Sequence, residues 1–418
     1  MACRGAFRLV AAVQQNLSFA VIGCGSRGRT YMRIARELGH TITAFADPLP
    51  EARETMRDIA GDPAAREFAS GEELLGEPRL ADVALVSTQD AMHFEQAKAA
   101  LRQGYDVLLE KPAATCSQEV EELAALAREK GCKLILCFVL RYTPFYRALK
   151  KAIDDGLIGD VVCINASEGV GPWHHSHSYV RGHWSRSTES SPMIVAKCSH
   201  DTDLLHWLTG SDAVAVSSYA ESTWFRPDRA PEGATDRCTD GCPHVGTCRY
   251  DAHRYLGDQR RWLRMIRADA ESMTDEQILE WLRTGDWGRC AYRCDQDTPD
   301  HQVVSMQFAN GVTATLTMTA FDTGRRIRVH GIRGIIEGAT HADGREPWLE
   351  CRLHEGETTE IPIEETPSEG YAGHGGGDFG LIDALPGLLA ADGADYIEGH
   401  RIAFAAAASA EKSAASRS

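Results

Sequence analysis

The stretch Leu17-Ser18-Phe19-Ala20-Val21-Ile22-Gly23-Cys24-Gly25-Ser26-Arg27-Gly28 decides how this chain begins to fold. A short apolar strand runs straight into G-x-G-x-x-G. The segment Arg29 to Leu38 then has helical spacing, with Tyr31, Ile34, Ala35 and Leu38 on one face, and Gly39 closes it. A second apolar run, Thr41 to Ala46, ends at Asp47, 19 residues after the last glycine. Each part has a physical role in holding a dinucleotide. Gly23 permits a tight turn, Gly25 lets the backbone approach a pyrophosphate, and Gly28 lets helix and strand pack closely. Ser26 and Arg27 open the helix, whose first amides and positive dipole end suit an anion. Asp47 is placed to accept from both ribose hydroxyls and would repel a 2′-phosphate, so the expected cofactor is NAD rather than NADP.

The same alternation continues downstream. Ala81–Ser87, Tyr105–Leu109 and Lys133–Val139 read as buried strands, and Ala91–Gln103 and Ser117–Lys130 as the helices between them. The expected fold class is α/β, beginning with a doubly wound parallel sheet of the Rossmann type. Ligands of such sheets sit at the carboxyl ends of strands. This nominates Thr88 and His93 in one loop and Glu110 and Lys111 in another, beside Asp47.

A chain of 418 residues fits two domains better than one, and 43% apolar residues suffice for real cores. The formal net charge of −16 opposes nucleic acid and anionic membranes as partners. No run approaches the roughly 20 apolar residues of a membrane span. The first 16 residues read as a loose leader rather than a secretory signal, and a cytoplasmic location is expected. Thirteen cysteines, an odd number, do not describe a secreted disulfide scaffold.

The Glu110-Lys111-Pro112 run after a strand, about 85 residues beyond the glycine loop, resembles the signature of the Gfo/Idh/MocA oxidoreductases. The resemblance covers nearly the whole chain. It implies a C-terminal α+β domain with an open, mostly antiparallel sheet through which family members commonly form homo-oligomers. It also implies that Lys111 lies beside nicotinamide and the reacting hydroxyl. Chemistry supports that role, since oxidising a secondary alcohol needs a base for the hydroxyl proton. In the family's second motif, a helix carries an aspartate and then a histidine four residues on. Here His200 matches the histidine and becomes the second catalytic candidate, as a proton relay. Ala196 takes the aspartate's place and Lys197 stands next to it. On one continuous helix Lys197, His200, Asp201 and Leu204 share a face, so Asp201 is expected to orient His200 and Lys197 to touch substrate.

The second domain is expected over 143–380, following the nucleotide domain at 17–142, with the tail 381–418 packing back on the first domain. Val161–Gly169 alternates as a strand. It leads into a loop rich in histidine, aromatics and arginine, from which His177, Tyr179, Arg181 and Trp184 are substrate-binding candidates. His301–Phe308 and Val312–Thr319 flank an Ala309-Asn310-Gly311 turn as a hairpin, and Arg326–His330 and Gly334–Gly338 read as further strands. His374, ahead of three glycines, is another substrate candidate. An insertion at 225–299 carries Cys238, Cys242 and Cys248, with Cys290 and Cys294 further on. That clustering raises the idea of a structural zinc. The leading function is NAD-dependent oxidation of a secondary hydroxyl on a sugar, cyclitol or sugar acid. The resemblance also admits glycoside cleavage with tightly held NAD, or a catalytically silent NAD-binding regulator.

Overall fold

The computed structural model describes residues 16–267, 269–341, 344–364, 373–391 and 397–416, so the leader expected over 1–16 lies outside it apart from Asn16. Two compact units emerge. The first gathers the chain up to 113, residues 120–143 and the late stretch 373–391. Its elements are β1 (Ser18–Ile22), α1 (Ser26–Glu37), β2 (Thr41–Ala46), α2 (Pro50–Ala60), β3 (Arg66–Phe68), α3 (Gly71–Leu75), β4 (Val83–Val86), α4 (Asp90–Arg102), β5 (Asp106–Leu109), α5 (Ser117–Lys130) and β6 (Leu134–Leu136). The strands form one parallel sheet in the order β3-β2-β1-β4-β5-β6. Val83 to Val86 are buried without a break, as a parallel strand covered on both faces requires. Strand order reverses between β1 and β4, the switch point outside whose carboxyl ends ligands of such sheets bind.

The second unit holds α6 (Pro144–Asp154), β7 (Val161–Val170), α7 (Pro172–His175), α8 (Met193–Ala196), α9 (Ser199–Thr209), β8 (Ala213–Glu221), α10 (Asp275–Thr284), β9 (His301–Phe308), β10 (Thr313–Thr319), β11 (Thr323–Gly331), β12 (Gly334–Thr340), β13 (Trp348–Leu353) and β14 (Thr358–Glu360). Its sheet runs β14-β13-β12-β11-β7-β10-β9-β8, antiparallel throughout except where β7 lies parallel to β10. The hairpin of β9 and β10 pairs Thr313 with Gln307, so Val304, Met306, Leu316 and Met318 are buried while their neighbours alternate outward.

The insertion is folded. Tyr255, Leu263, Ile278 and Leu282 bury around Trp173, and Tyr250, Tyr292 and Phe225 around Val180. A capping box of Thr274 and Gln277 starts α10. The His-rich segment after β7 is thereby pinned by apolar side chains of the insertion and is helical rather than an open loop.

The last two helices part company. In the first unit, α11 (Gly377–Ala390) packs on the turn Val139–Tyr142, where a Cβ on Gly377 would come within 2.3 Å of the Val139 carbonyl. The tail helix α12 (Glu398–Ala415), expected on the first domain, lies instead on β8 and α9 of the second unit. Small residues decide this. Gly399 approaches Asp203 so closely that a Cβ would meet its backbone, and Thr202 Oγ1 donates to the Gly399 carbonyl at 2.7 Å. No helix among the described residues is long and apolar enough to cross a membrane.

Candidate active site

In the first unit the glycines do what the pattern requires. Gly23 has φ +95°, and a Cβ there would strike the Ser87 carbonyl at 2.6 Å. A Cβ on Gly28 would sit 2.2 Å from the Gly23 carbonyl, whereas one on Gly25 would meet no protein atom within 4 Å. Gly25 also stands at the N-cap of α1, where it supplies no side-chain cap to the first-turn amides. Asp47 follows β2, with Oδ2 accepting from the Cys24 amide at 2.8 Å and Oδ1 from the Leu49 amide at 2.9 Å. Glycine loop and acid are thus locked to one another, as a dinucleotide site needs. The residues present fit NAD: open glycine backbone and a helix N-terminus without a side-chain cap for a pyrophosphate, a carboxylate for ribose hydroxyls.

Glu110 is the centre of a buried charge network. Its Oε1 accepts from Arg27 Nε at 2.7 Å and from the Tyr31 hydroxyl at 2.8 Å, and its Oε2 accepts from the Lys111 amide at 2.9 Å. Burial works to raise the Glu110 pKa, but the charges of Arg27 and Lys111 and the hydrogen bonds hold it below the ordinary carboxylate range. Glu110 is therefore a fixed anion that orients the Lys111 turn. Thr88 and His93 stand at the neighbouring strand end. His93 is buried, with Nδ1 2.7 Å from the Pro112 carbonyl and Nε2 3.2 Å from that of Thr88. It ties the two loops together, with a main-chain carbonyl beside each ring nitrogen.

Sequence reasoning missed Asp378. It is buried in the first turn of α11 and takes Arg27 with both oxygens, Oδ1 at 2.7 Å and Oδ2 at 3.0 Å. His374 Nδ1 lies 3.2 Å from each oxygen of the same carboxylate. His374 itself is exposed, at φ +50°, with Gly375 and Gly376 also left-handed. The glycine run was the available signal. It lets this late segment turn sharply enough to reach the first glycine loop.

In the second unit the helix expected through Lys197 and His200 breaks. Lys197 is the C-cap of α8 and Cys198 the N-cap of α9, so Lys197 and His200 do not share one helical face. Asp201 does not serve His200; it grips Arg325 of β11, with Nε to Oδ1 at 2.7 Å and Nη2 to Oδ2 at 3.2 Å. Lys197 Nζ lies 3.0 Å from Glu168 Oε1 of β7, and Glu168 Oε2 lies 3.0 Å from Arg325 Nε. His200 is buried in the first turn of α9. Neither Glu168 nor Arg325 carries a local sequence signature; only the pairing of β7 with β11 brings them together.

The His-rich segment supplies less ligand surface than expected. His177 is 1% exposed, its Nδ1 2.5 Å from the Tyr255 hydroxyl and its ring against Trp262 and Trp287. Arg181, 3% exposed, donates to the carbonyls of Arg289 and Tyr250 and to Cys238 Sγ. Tyr179 is buried, packed against His174, His175 and Trp184, and only Trp184 is partly open. Insertion residues cover this segment, so His177, Tyr179 and Arg181 build a core and not a sugar-binding loop.

The zinc expectation is also corrected. Among the described residues no group of three or more His, Cys, Asp or Glu side chains is placed to hold a metal. Cys238, Cys242 and Cys248 line a small cavity with Cys290 and Arg181. Burial pushes the Cys238 and Cys248 thiols up, which favours their protonated form.

A glycine-loop unit whose strands end in Asp47 and Glu110-Lys111, in one chain with an open mixed sheet, defines a dinucleotide-dependent oxidoreductase. The chain belongs to the Gfo/Idh/MocA family. Residues 17–138 match the oxidoreductase family's NAD-binding Rossmann fold and residues 146–337 match the GFO/IDH/MocA C-terminal domain. The Bacillus subtilis (strain 168) protein YteT, which carries only the general name oxidoreductase, is 27% identical over 87% of this chain and 88% of its own. An inositol 2-dehydrogenase of Ralstonia nicotianae is 29% identical over 48% of this chain and 56% of its own. In fold, the chain is similar to a levoglucosan dehydrogenase solved with NADH (TM-score 0.67, 18% identity, 95% and 98% of the two chains). It is likewise similar to an aldose-aldose oxidoreductase from Caulobacter crescentus (TM-score 0.64, 17% identity, 96% and 98%).

Proposed function

We propose that this protein oxidises a secondary hydroxyl of a sugar, cyclitol or related carbohydrate with NAD as the oxidant. The observation that carries the reading is the convergence at the carboxyl ends of β1, β2 and β5. Open glycine backbone, a helix N-terminus without a side-chain cap, Asp47 and the Glu110–Lys111 turn all meet there. Bound NAD would supply the hydride acceptor. Lys111, steered by its Glu110 neighbour, takes the hydroxyl proton. Asp47 favours NAD over NADP by repelling a 2′-phosphate. His200 is the proton-relay residue that the second unit offers. Relatives named for inositol and 1,5-anhydro-D-fructose support a polyhydroxylated substrate. Association of copies through the open sheet fits the exposed register partners Tyr219 and Val303.

The test is NADH formation, followed by its near-ultraviolet absorbance, over a panel of sugars and cyclitols. Lys111→Ala should lower turnover by roughly 10²–10⁴-fold, the usual worth of a positioned acid or base, with NAD binding retained. Undiminished turnover in that variant would remove Lys111 from the chemistry.

A further inference from the structure

We propose that Asp378 is a positioning residue for Lys111: through Arg27 and Glu110 it fixes the turn that carries the base and favours a proton on its amine. The proposal rests on the oxidoreductase reading above and adds to it a residue from a distant part of the chain that folds into the same unit as Lys111.

The Lys111 turn is tied at two points. Its amide donates to Glu110 Oε2 at 2.9 Å, and the Pro112 carbonyl lies 2.7 Å from His93 Nδ1. The first tie holds only while the Glu110 carboxylate keeps its rotation, and its other oxygen decides that. Oε1 accepts from Arg27 Nε at 2.7 Å and from the Tyr31 hydroxyl at 2.8 Å. A guanidinium is a rigid plane, so the direction of Nε is set by whatever grips the two Nη atoms. Asp378 grips both, at 2.7 and 3.0 Å, with the Tyr31 ring centre 4.5 Å from the guanidinium carbon. Asp378 stands on a firm support. Its side chain is 2% exposed in the first turn of α11, and Gly377 beside it leaves no room for a Cβ against the Val139 carbonyl. An unbroken run of hydrogen bonds thus leads from Asp378 to the Lys111 amide inside one unit.

Charge acts in the same direction. Glu110 and Asp378 are anions and Arg27 is a cation, so the three together carry one negative charge, which a protonated Lys111 cancels. Tyr31 and Cys137 also face this network, and burial pushes both of their pKa values up, which keeps them neutral. His374 Nδ1, 3.2 Å from each Asp378 oxygen, adds a positive charge only when protonated. The network therefore draws a proton onto Lys111, the direction in which oxidation of an alcohol must move it.

The experiment reads Lys111 directly in the wild type, Asp378→Asn and Asp378→Glu, each checked for folding by thermal melting. Competitive labelling with acetic anhydride from about pH 6 to about pH 11, with mass spectrometry of the Lys111 peptide, gives the pH at which half of its amine is free, without any substrate. Single-turnover NADH formation at saturating NAD is measured alongside, with myo-inositol, D-glucose and the rest of the sugar and cyclitol panel. Asp378→Asn should move the Lys111 midpoint down by about half a pH unit or more, the worth of one charge acting across a partly buried network. It should also slow the single turnover about tenfold or more, because the turn is misplaced. Asp378→Glu keeps the charge and should hold the midpoint near that of the wild type. An unmoved midpoint in folded Asp378→Asn, an equal shift in Asp378→Glu, or an undiminished turnover overturns the inference and leaves the oxidoreductase reading standing. No NADH from the wild type with any member of the panel, in protein that binds NAD, overturns that reading and the role given to the network with it.

Discussion

Replacing Asp378 by Asn should loosen the nucleotide-binding unit, and the size of the effect follows from the contacts. Asp378 receives two charge-assisted hydrogen bonds from Arg27, at 2.7 and 3.0 Å, and lies beside His374. Asparagine keeps one acceptor and turns an amide N–H toward a guanidinium that can only donate. One charge-assisted bond is lost in a buried setting, nominally about 1.5–3 kcal/mol. Arg27 is partly exposed, so water recovers some of this, and we expect about 2 kcal/mol at neutral pH. For a unit of this size that corresponds to a melting shift of roughly 4–8 °C. Arg27 lies in the glycine loop, so NAD affinity should weaken roughly tenfold, about 1.4 kcal/mol of the same loss. The pH dependence has a definite sign. Burial would raise the Asp378 pKa, but the hydrogen bonds from His374 and Arg27 and their charges depress it well below the usual value. Its contribution is therefore complete above about pH 4 and is lost as pH falls through the folded value. The gap between wild type and variant should be constant from neutral down to that region and close below it. Thermal melts with and without NAD, with calorimetric titration of NAD, read both effects. A variant melting within about 1 °C of wild type, with unchanged NAD affinity, would refute the reasoning.

Two further predictions concern packing and burial. Gly28→Ala forces a Cβ to within 2.2 Å of the Gly23 carbonyl and should cost about 1–3 kcal/mol along with NAD binding. Gly25→Ala meets no protein atom and should spare the melting temperature while still weakening NAD, so equal melting losses in the two would refute the assignment. His174, His175 and His177 are neutral when folded because burial lowers their pKa values, to about 4 for His175 and about 3 for His177. Stability of the second unit should thus be full above about pH 6.5 and fall as pH drops toward 4, with uptake of up to about three protons on unfolding. His175→Phe, in a ring stacked on Phe225, should remove about one proton from that slope in urea titrations at several pH values.

How far the sequence could be read depended on whether a residue's partner is near it along the chain. Gly23, Gly25, Gly28 and Asp47 belong to one strand-helix-strand unit whose geometry is local, and each is where its spacing predicts. The hairpin of β9 and β10 is legible for the same reason. Lys197 and Asp201 show the opposite case. Helical periodicity pairs them with His200, but the chain breaks at Cys198 and their partners arrive from β7 and β11, more than a hundred residues away for Arg325. Periodicity carries no information about a partner on another strand. The His-rich segment misleads for a related reason. Histidine, tyrosine and tryptophan suit a sugar, but they also pack against one another, and composition does not say which surface will cover them. The insertion supplies Tyr255, Trp262 and Trp287 for that purpose, which turns an apparent binding loop into a core. Asp378 lies between these cases. Three glycines before it announced an unusual turn, but that the turn brings a carboxylate back to Arg27, across 351 positions of chain, follows from tertiary structure alone.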